Sequence, residues 1–551
     1  MSMSPRPPIP SFIPESAPFT PEQRTWLNGL FAGLLGLEQG ATPLSTAEVA
    51  KLLPGLTGDA AARALEPADA DDGANDDGAP WHDPAMPMPE RMKLAEGRPL
   101  PRRLMAAMAQ QDCGQCGYNC QDYSAALFAQ SEKRLNLCVP GGKETARMLK
   151  ELYAELEGKP AAEARPSPAA PPQSVRSTTP LPGRSRDKPV HATFLSRRRL
   201  NKPGSQKETW HIDVDLAGSD LDYAVGDSFG VLPSNDPELV DAVIAAIDAP
   251  PDFPLGNRTL REELIFGTSL SPAPDMLFEL ISHMTGGERK QKAIKLAAGG
   301  DPDGDAATLD VLAALQKFQR VRPDPEAFIE ALDPLQPRLY SISSSPKATP
   351  GRISLTVDAV RYDIDKRIRH GVCSTFLGGR IAPGDKIKVY VQKAQHFALP
   401  ADPATPIIMV GPGTGVAPFR AFLHERGATS APGRNWLFFG HQRSAYDFFY
   451  EEEFAAMRAE GLLTRLSLAW SRDSNEKIYV QHRIREAGQE LWSWIDGGAH
   501  IYVCGDALRM AKDVELAFVD VIATHGGKSG TDAMKLLGEL KAGDRYQTDV
   551  Y

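Results

Sequence analysis

Four of the six cysteines crowd into one short stretch. Cys113, Cys116, Cys120 and Cys138 follow the spacing C-x2-C-x3-C-x17-C. Three close thiolates and one distant one suit a cuboidal iron-sulfur cluster, because a compact loop can wrap three corners while a returning segment supplies the fourth. Gly114 and Gly117 within the tight part let backbone N–H groups approach the sulfurs, which tunes the potential. Four-cysteine zinc sites also open with C-x2-C, although usually as two separated knuckles. Zinc is therefore the alternative, and disulfides come third in a chain with no secretion signal.

A second constellation lies downstream. Arg338-Leu339-Tyr340-Ser341 supplies a guanidinium for a pyrophosphate oxygen, a ring to lie against an isoalloxazine and a hydroxyl for flavin N5. Gly371-Val372-Cys373-Ser374 is a small-residue turn into a helix start, a ready anion site for the pyrophosphate of FAD. In IIMVGPGTGVAPFRAFL, residues 407–423, a strand, the loop Gly411, Gly413, Thr414 and Gly415, and a helix follow one another. That order lets backbone approach a second pyrophosphate at the positive end of a helix. Ser471 and Arg472, with Lys477, Tyr479 and Gln481 in the run KIYVQ that also holds Ile478 and Val480, form the hydroxyl-plus-cation set for a 2′-phosphate. NADPH is expected over NADH.

These residues need scaffolds of two kinds. Trp210, Ile212, Val214 and Leu216 alternate with polar residues, as do Ile387, Val389 and Val391, which predicts an antiparallel barrel. PELVDAVIAAI, DMLFELISHM and TLDVLAALQKF predict a helical insertion over about 237–330. From about 401 the pattern alternates strand and helix, with strands at Ile407–Val410, Trp436–Phe439, Leu466–Trp470 and Ile501–Cys504, as in a Rossmann-like parallel sheet. Upstream, Thr20, Pro21 and Gln23 cap a helix over 20–36 whose Trp26, Leu27, Leu30, Phe31, Leu34 and Leu35 share a face. Residues 66–89 and 159–187 are Pro- and Ala-rich linkers that cannot bury enough apolar area to order themselves. The expected divisions are 1–92 (helix and acidic linker), 93–158 (α-rich four-cysteine iron-sulfur module), 159–188 (linker), 189–400 (FAD barrel) and 401–551 (NADPH domain).

The chain's 551 residues allow about three or four such domains. A net charge of −10 argues against nucleic acid and requires locally basic cofactor pockets. No stretch is apolar for long enough to span a membrane, and no secretion signal opens the chain, so a cytoplasmic protein is expected.

Residues from about 190 to 551 resemble the ferredoxin-NADP reductase-like half of diflavin reductases, and among them the flavoprotein subunits of NADPH assimilatory sulfite reductases. The resemblance rests on RLYSISS, LTVDAVRY, GVCSTFL, GPGTGVAPFRAF, NWLFFGHQ, AWSRD, KIYVQ, IYVCGDA, MAKDVE and RYQTDVY, in that order. It implies FAD contacts at Arg338, Tyr340, Ser341, Tyr362 and Gly371 to Ser374, with Thr356, Val357 and Asp358 lining the site. It implies Asp513 beside the NADPH set, Cys504 and Asp549 with Ser341 at the hydride-transfer point, and Tyr551 as a lid on the flavin. Such proteins carry an FMN domain before the reductase half, whereas residues 1–188 show no flavodoxin pattern and no FMN is expected. CGQCGYNCQDYS with LNLCVPGG resembles iron-sulfur domains of electron-transfer proteins, which commonly have one more residue between the second and third cysteines. A 4Fe-4S cluster would thus relay single electrons in place of FMN, shuttling on its tethers to a siroheme hemoprotein subunit. Nitrite or nitrate reductases, ferredoxins or cytochromes are alternative acceptors, and a zinc-stabilised docking module is the alternative for the N-terminal part.

Overall fold

The computed structural model describes residues 79–84, 86–156, 181–364, 367–394 and 396–551. The helix expected over 20–36 and most of both linkers lie outside these residues.

Four helices build the cysteine module: α1 (Met88–Leu94), α2 (Leu100–Ala106), α3 (Cys120–Phe128) and α4 (Gly142–Ala154). They enclose a small core around Leu104, Met108, Tyr123, Leu127 and Leu149. Asn119 sets where α3 begins, because its side chain accepts from Asp122 N at 2.6 Å and satisfies a first-turn donor. Order starts earlier than composition indicates: Trp81, inside the acidic stretch, is only 2% exposed.

The next strands are β1 (Val190–Arg199), β2 (Thr209–Asp215), β3 (Ser228–Leu232), β4 (Arg338–Ser341), β5 (Arg352–Asp358), the hairpin β6 (Arg361–Ile364) and β7 (Arg367–His370), and β8 (Lys386–Gln392). Six of them pair antiparallel in the order β4-β3-β8-β1-β2-β5. A bridge between Ile342 and Leu355 joins the two edges, so the sheet closes on a core of Phe194, Ile212, Val214, Phe229, Ile353 and Val389. Between β3 and β4 the chain makes α5 (Pro237–Ile247), α6 (Leu260–Phe266), α7 (Asp275–Met284), α8 (Gly287–Ala297), α9 (Val311–Lys317) and α10 (Pro325–Glu330), the expected insertion, with a separate core of its own.

The C-terminal part is a parallel sheet of β9 (Ile407–Val410), β10 (Asn435–His441), β11 (Arg465–Trp470), β12 (His500–Gly505) and β13 (Tyr546–Val550) in the order β11-β10-β9-β12-β13. Both faces are covered: Ile407 and Met409 face one core, Ile408 and Val410 the other. That explains why β9 reads as an unbroken apolar run. The strand order reverses between β9 and β12, the point where such sheets open a crevice at their carboxyl edge. The fifth strand, β13, went unread as a strand because its residues are mostly polar.

The cysteine module is seated on the barrel and the insertion. Arg147 grips Asp275 of α7 through Nε at 2.6 Å and Nη2 at 2.7 Å, and Asn136 Nδ2 donates to Asp333 Oδ1 at 2.9 Å. Gln115, inside the cysteine loop, donates from Nε2 to the Pro337 carbonyl at 2.9 Å, one residue before β4. Among the described residues no helix is long and apolar enough to cross a membrane.

Candidate functional site

The loop after β9 fills the crevice, and its glycines have different work. A Cβ on Gly415 would stand 2.1 Å from the Cys504 carbonyl, and one on Gly411 would stand 2.4 Å from the Gly415 carbonyl. These two glycines let the loop close against β12. Gly413, at φ +59°, meets nothing nearer than a His441 ring atom at 3.8 Å, so it is the glycine whose open face a pyrophosphate could approach.

Across this loop lies one of the places where the barrel and the C-terminal part meet. β13 pairs with β12 so that Asp549 lies opposite Cys504. Ser341, the last residue of β4, donates to Asp549 Oδ2 at 2.5 Å, and the Cys504 thiol lies 3.6 Å from the same oxygen. Burial pushes the Asp549 carboxyl above its usual range, against the pull of the Ser341 and Cys504 hydrogen bonds. Tyr551 is tied to the same place: its N–H donates to Gly505 O at 3.0 Å, and its hydroxyl pairs with Thr414 Oγ1 at 2.7 Å. Ser341 and Asp549, 208 positions apart along the chain, thus converge with Cys504, and Tyr551 is held by its hydroxyl and its backbone.

On the barrel side, Tyr340 and Cys373 are neighbours through their side chains, and the Arg338 and Arg380 guanidinium groups both bear on Cys373. This is a local concentration of positive charge in a chain whose net charge is −10. Arg380 had no sequence signal; its Nη2 donates to Val372 O at 2.9 Å, while its Nε is buried without a partner. Several expected contacts are otherwise engaged. Thr356 Oγ1 pairs with Tyr450 OH at 2.7 Å, Asp358 accepts from Thr209 and Lys207, and Val357 is 1% exposed in the barrel core. Ser374 Oγ accepts from Val360 N at 3.1 Å, which holds the Gly371 turn against the β5–β6 link. Leu339 and Val372 are half-buried, and Tyr362 stands exposed on the β6–β7 hairpin.

Ser471 and Arg472 follow β11 directly, and Arg472 and Lys477 are exposed at the sheet's carboxyl edge with Tyr479 at 43%. Gln481 Nε2 donates to Asp513 Oδ2 at 3.1 Å, bringing that pair together. Ile478 and Val480 alternate with them and pack into the sheet core, so they position the run and offer no polar group to a cofactor.

Cys113, Cys116, Cys120 and Cys138 line one small cavity with Met108, Tyr118, Tyr123 and Pro140. Gly114 and Gly117 take φ of +66° and +92°, which bends the loop around it. All four thiols are free. Burial pushes Cys113 up to about 12 and Cys116 to about 11, while backbone groups of Gln115 and Tyr118 favour the thiolates. Soft sulfur donors around a cavity fit an iron-sulfur group chemically. Among the described residues no three or more His, Cys, Asp or Glu side chains are grouped as ligands of a metal ion; the cysteines ring the cavity instead.

Comparison with known proteins agrees with this architecture. Residues 182–263 and 258–376 match the FAD binding domain family, and residues 409–516 match the oxidoreductase NAD-binding domain family. The sulfite reductase (NADPH) flavoprotein alpha-components of Shigella dysenteriae serotype 1 (strain Sd197) and Escherichia coli O157:H7 are each 40% identical over 460 residues, covering 78% of this chain and 74% of theirs. The similarity therefore reaches upstream of residue 190, beyond the two thirds on which the motifs lie. With both domain families in place and this identity across most of both chains, the protein belongs to the sulfite reductase (NADPH) flavoprotein alpha-component family.

Proposed function

We propose that this chain is an NADPH-dependent reductase in which electrons pass from NADPH to FAD, then through a 4Fe-4S cluster on Cys113, Cys116, Cys120 and Cys138 to a siroheme hemoprotein that reduces sulfite to sulfide. The observation that carries the reading is the convergence of Ser341, Cys504 and Asp549 across the two cofactor domains. Hydride loss leaves positive charge on a nicotinamide, and the Asp549 carboxylate is the fixed negative group beside that position. Ser341 and Cys504 hold the carboxylate in place. Arg338 and Arg380 would neutralise the flavin pyrophosphate, with Tyr340 against its ring system and Tyr551 covering the other side. Ser471, Arg472, Lys477 and Tyr479 would hold the 2′-phosphate, and Gly413 would admit the pyrophosphate of NADPH. Positioning is this chain's main contribution.

The cysteines take the cluster rather than zinc in this reading because three of them lie close together in sequence, as a cuboidal cluster needs, whereas four-cysteine zinc sites usually come as two separated knuckles. The functional divisions follow: a module over 93–158, a barrel over 189–400 and an NADPH domain over 401–551, working in the cytoplasm. Anaerobic purification followed by assay of iron, acid-labile sulfide, zinc, FAD and FMN tests it. About four irons and one FAD without FMN, and sulfide production once the siroheme subunit and NADPH are added, are expected. Zinc in place of iron, or stoichiometric FMN, would overturn it.

A further inference from the structure

The barrel's outer face beneath the cysteine loop presents Tyr390, on β8 between the core residues Val389 and Val391. It stands opposite Gly230 of β3, and Gly230 in turn stands opposite Leu339 of β4. A Cβ on Gly230 would come within 2.2 Å of the Tyr390 ring, so the ring lies across β3 toward the flavin strand. Two residues along the same face, Gln392 meets Gly114 of the cysteine loop, whose Cβ would be 3.4 Å from the Gln392 amide.

Tyr390 is 1% exposed, yet its hydroxyl has no hydrogen-bond partner. A buried hydroxyl left unpaired costs about 1–3 kcal/mol. The groups acting on it identify its surroundings: after burial itself, these are Arg186, Cys116, Asp187 and Cys113. Arg186 is already engaged with the Gln115 carbonyl at 3.2 Å and with Gln336. Gln111, which lines the cavity with the cysteines, likewise has its Oε1 buried without a partner.

We propose that the Tyr390 hydroxyl donates a hydrogen bond to the sulfur shell of the cluster held by Cys113, Cys116, Cys120 and Cys138, and thereby raises that cluster's reduction potential. The inference rests on the cluster reading above. Taking up one electron increases the negative charge on the sulfurs, so a fixed O–H donor stabilises the reduced form more than the oxidised one. The proton stays on the tyrosine throughout. The same ring packs over Gly230, between the cysteine loop and β4, so one residue both tunes the cluster and fills the gap on the flavin side.

The test uses the full chain, purified anaerobically, with Tyr390→Phe keeping the ring over Gly230. Iron and sulfide content are measured first, and the cluster and flavin midpoints are then read in one titration monitored by EPR and visible absorption. The expected result is equal iron loading, an unchanged flavin midpoint, and a cluster reduction constant lowered about tenfold, which is about 59 mV for a one-electron couple. If the phenylalanine variant loads less iron, 3-fluorotyrosine at position 390, a more acidic donor of similar size, should move the midpoint upward. A loaded cluster whose midpoint ignores both changes would overturn the inference alone. A chain with zinc or no metal would overturn the cluster reading with it.

Discussion

In the proposed reading, Asp549 is the residue on which the hydride site turns. Its carboxyl is shared by Ser341 and Cys504 and is held above the usual carboxylate range by burial. A raised carboxyl is protonated at pH values where an ordinary one is still ionised. Flavin reduction by NADPH should therefore slow as pH falls through a value above the ordinary 3.8, and stopped-flow rates across pH should show it. Asp549→Asn should reduce the rate about 100-fold at neutral pH and flatten the profile; a profile that keeps its acid limb would assign that limb to another group. Arg472, exposed just after β11, is the residue proposed for nucleotide choice. Arg472→Ala should raise KM for NADPH about tenfold or more and leave KM for NADH nearly unchanged, as steady-state kinetics with both nucleotides will show. Arg472 was legible because a cation beside a hydroxyl at a strand end carries its chemistry in its type, whereas Asp549 and Cys504 came only from the resemblance. Arg380, Gln115 and Tyr390 were not legible, since a guanidinium, an amide or a ring acquires its role from what the fold sets beside it. Thr356, Ile478 and Val480 show the converse: they stand in motif positions, but Thr356 bonds Tyr450 and the other two fill the sheet core.

At the scale of elements, the strands of the parallel sheet and the insertion helices could be read from sequence because their apolar periods are strong. The strand β13 could not, because it pairs through backbone with few apolar side chains; the barrel followed from its alternating strands, and the bridge between Ile342 and Leu355 closes it. Docking of the cysteine module was equally hidden. Its tethers suggested a shuttling unit, but α4 is held to α7 by the two-pronged Arg147–Asp275 pair, and the cysteine loop touches the residue before β4 through Gln115. From Pro337 to Ser341 is four strand steps, about 13 Å, which in the proposed relay would set the module near the hydride site. Arg147→Glu places like charges at this contact and should slow cluster reduction while leaving flavin reduction unchanged. The double variant Arg147→Glu with Asp275→Arg should restore it; failure of the swap to restore the rate, with both proteins folded, would mean this contact does not set the relay geometry.

For the whole molecule, the order of sites along the structure matches the proposed order of electron flow: nucleotide edge, hydride point, flavin strand, cysteine loop. The parallel sheet meets the barrel through Asp549 and Ser341, and the barrel meets the cysteine module through Pro337 and Gln115. Both ends of β4 are thus contacts between units, which in the proposed relay would make that four-residue strand the link between two-electron and one-electron chemistry. The most direct measurement is anaerobic mixing of the full chain with NADPH, following flavin and cluster absorption separately at several protein concentrations without any acceptor. The account predicts flavin bleaching first and cluster bleaching next, both at rates independent of protein concentration. A cluster that stays oxidised beside reduced flavin, or one reduced at a rate proportional to protein concentration, would contradict it.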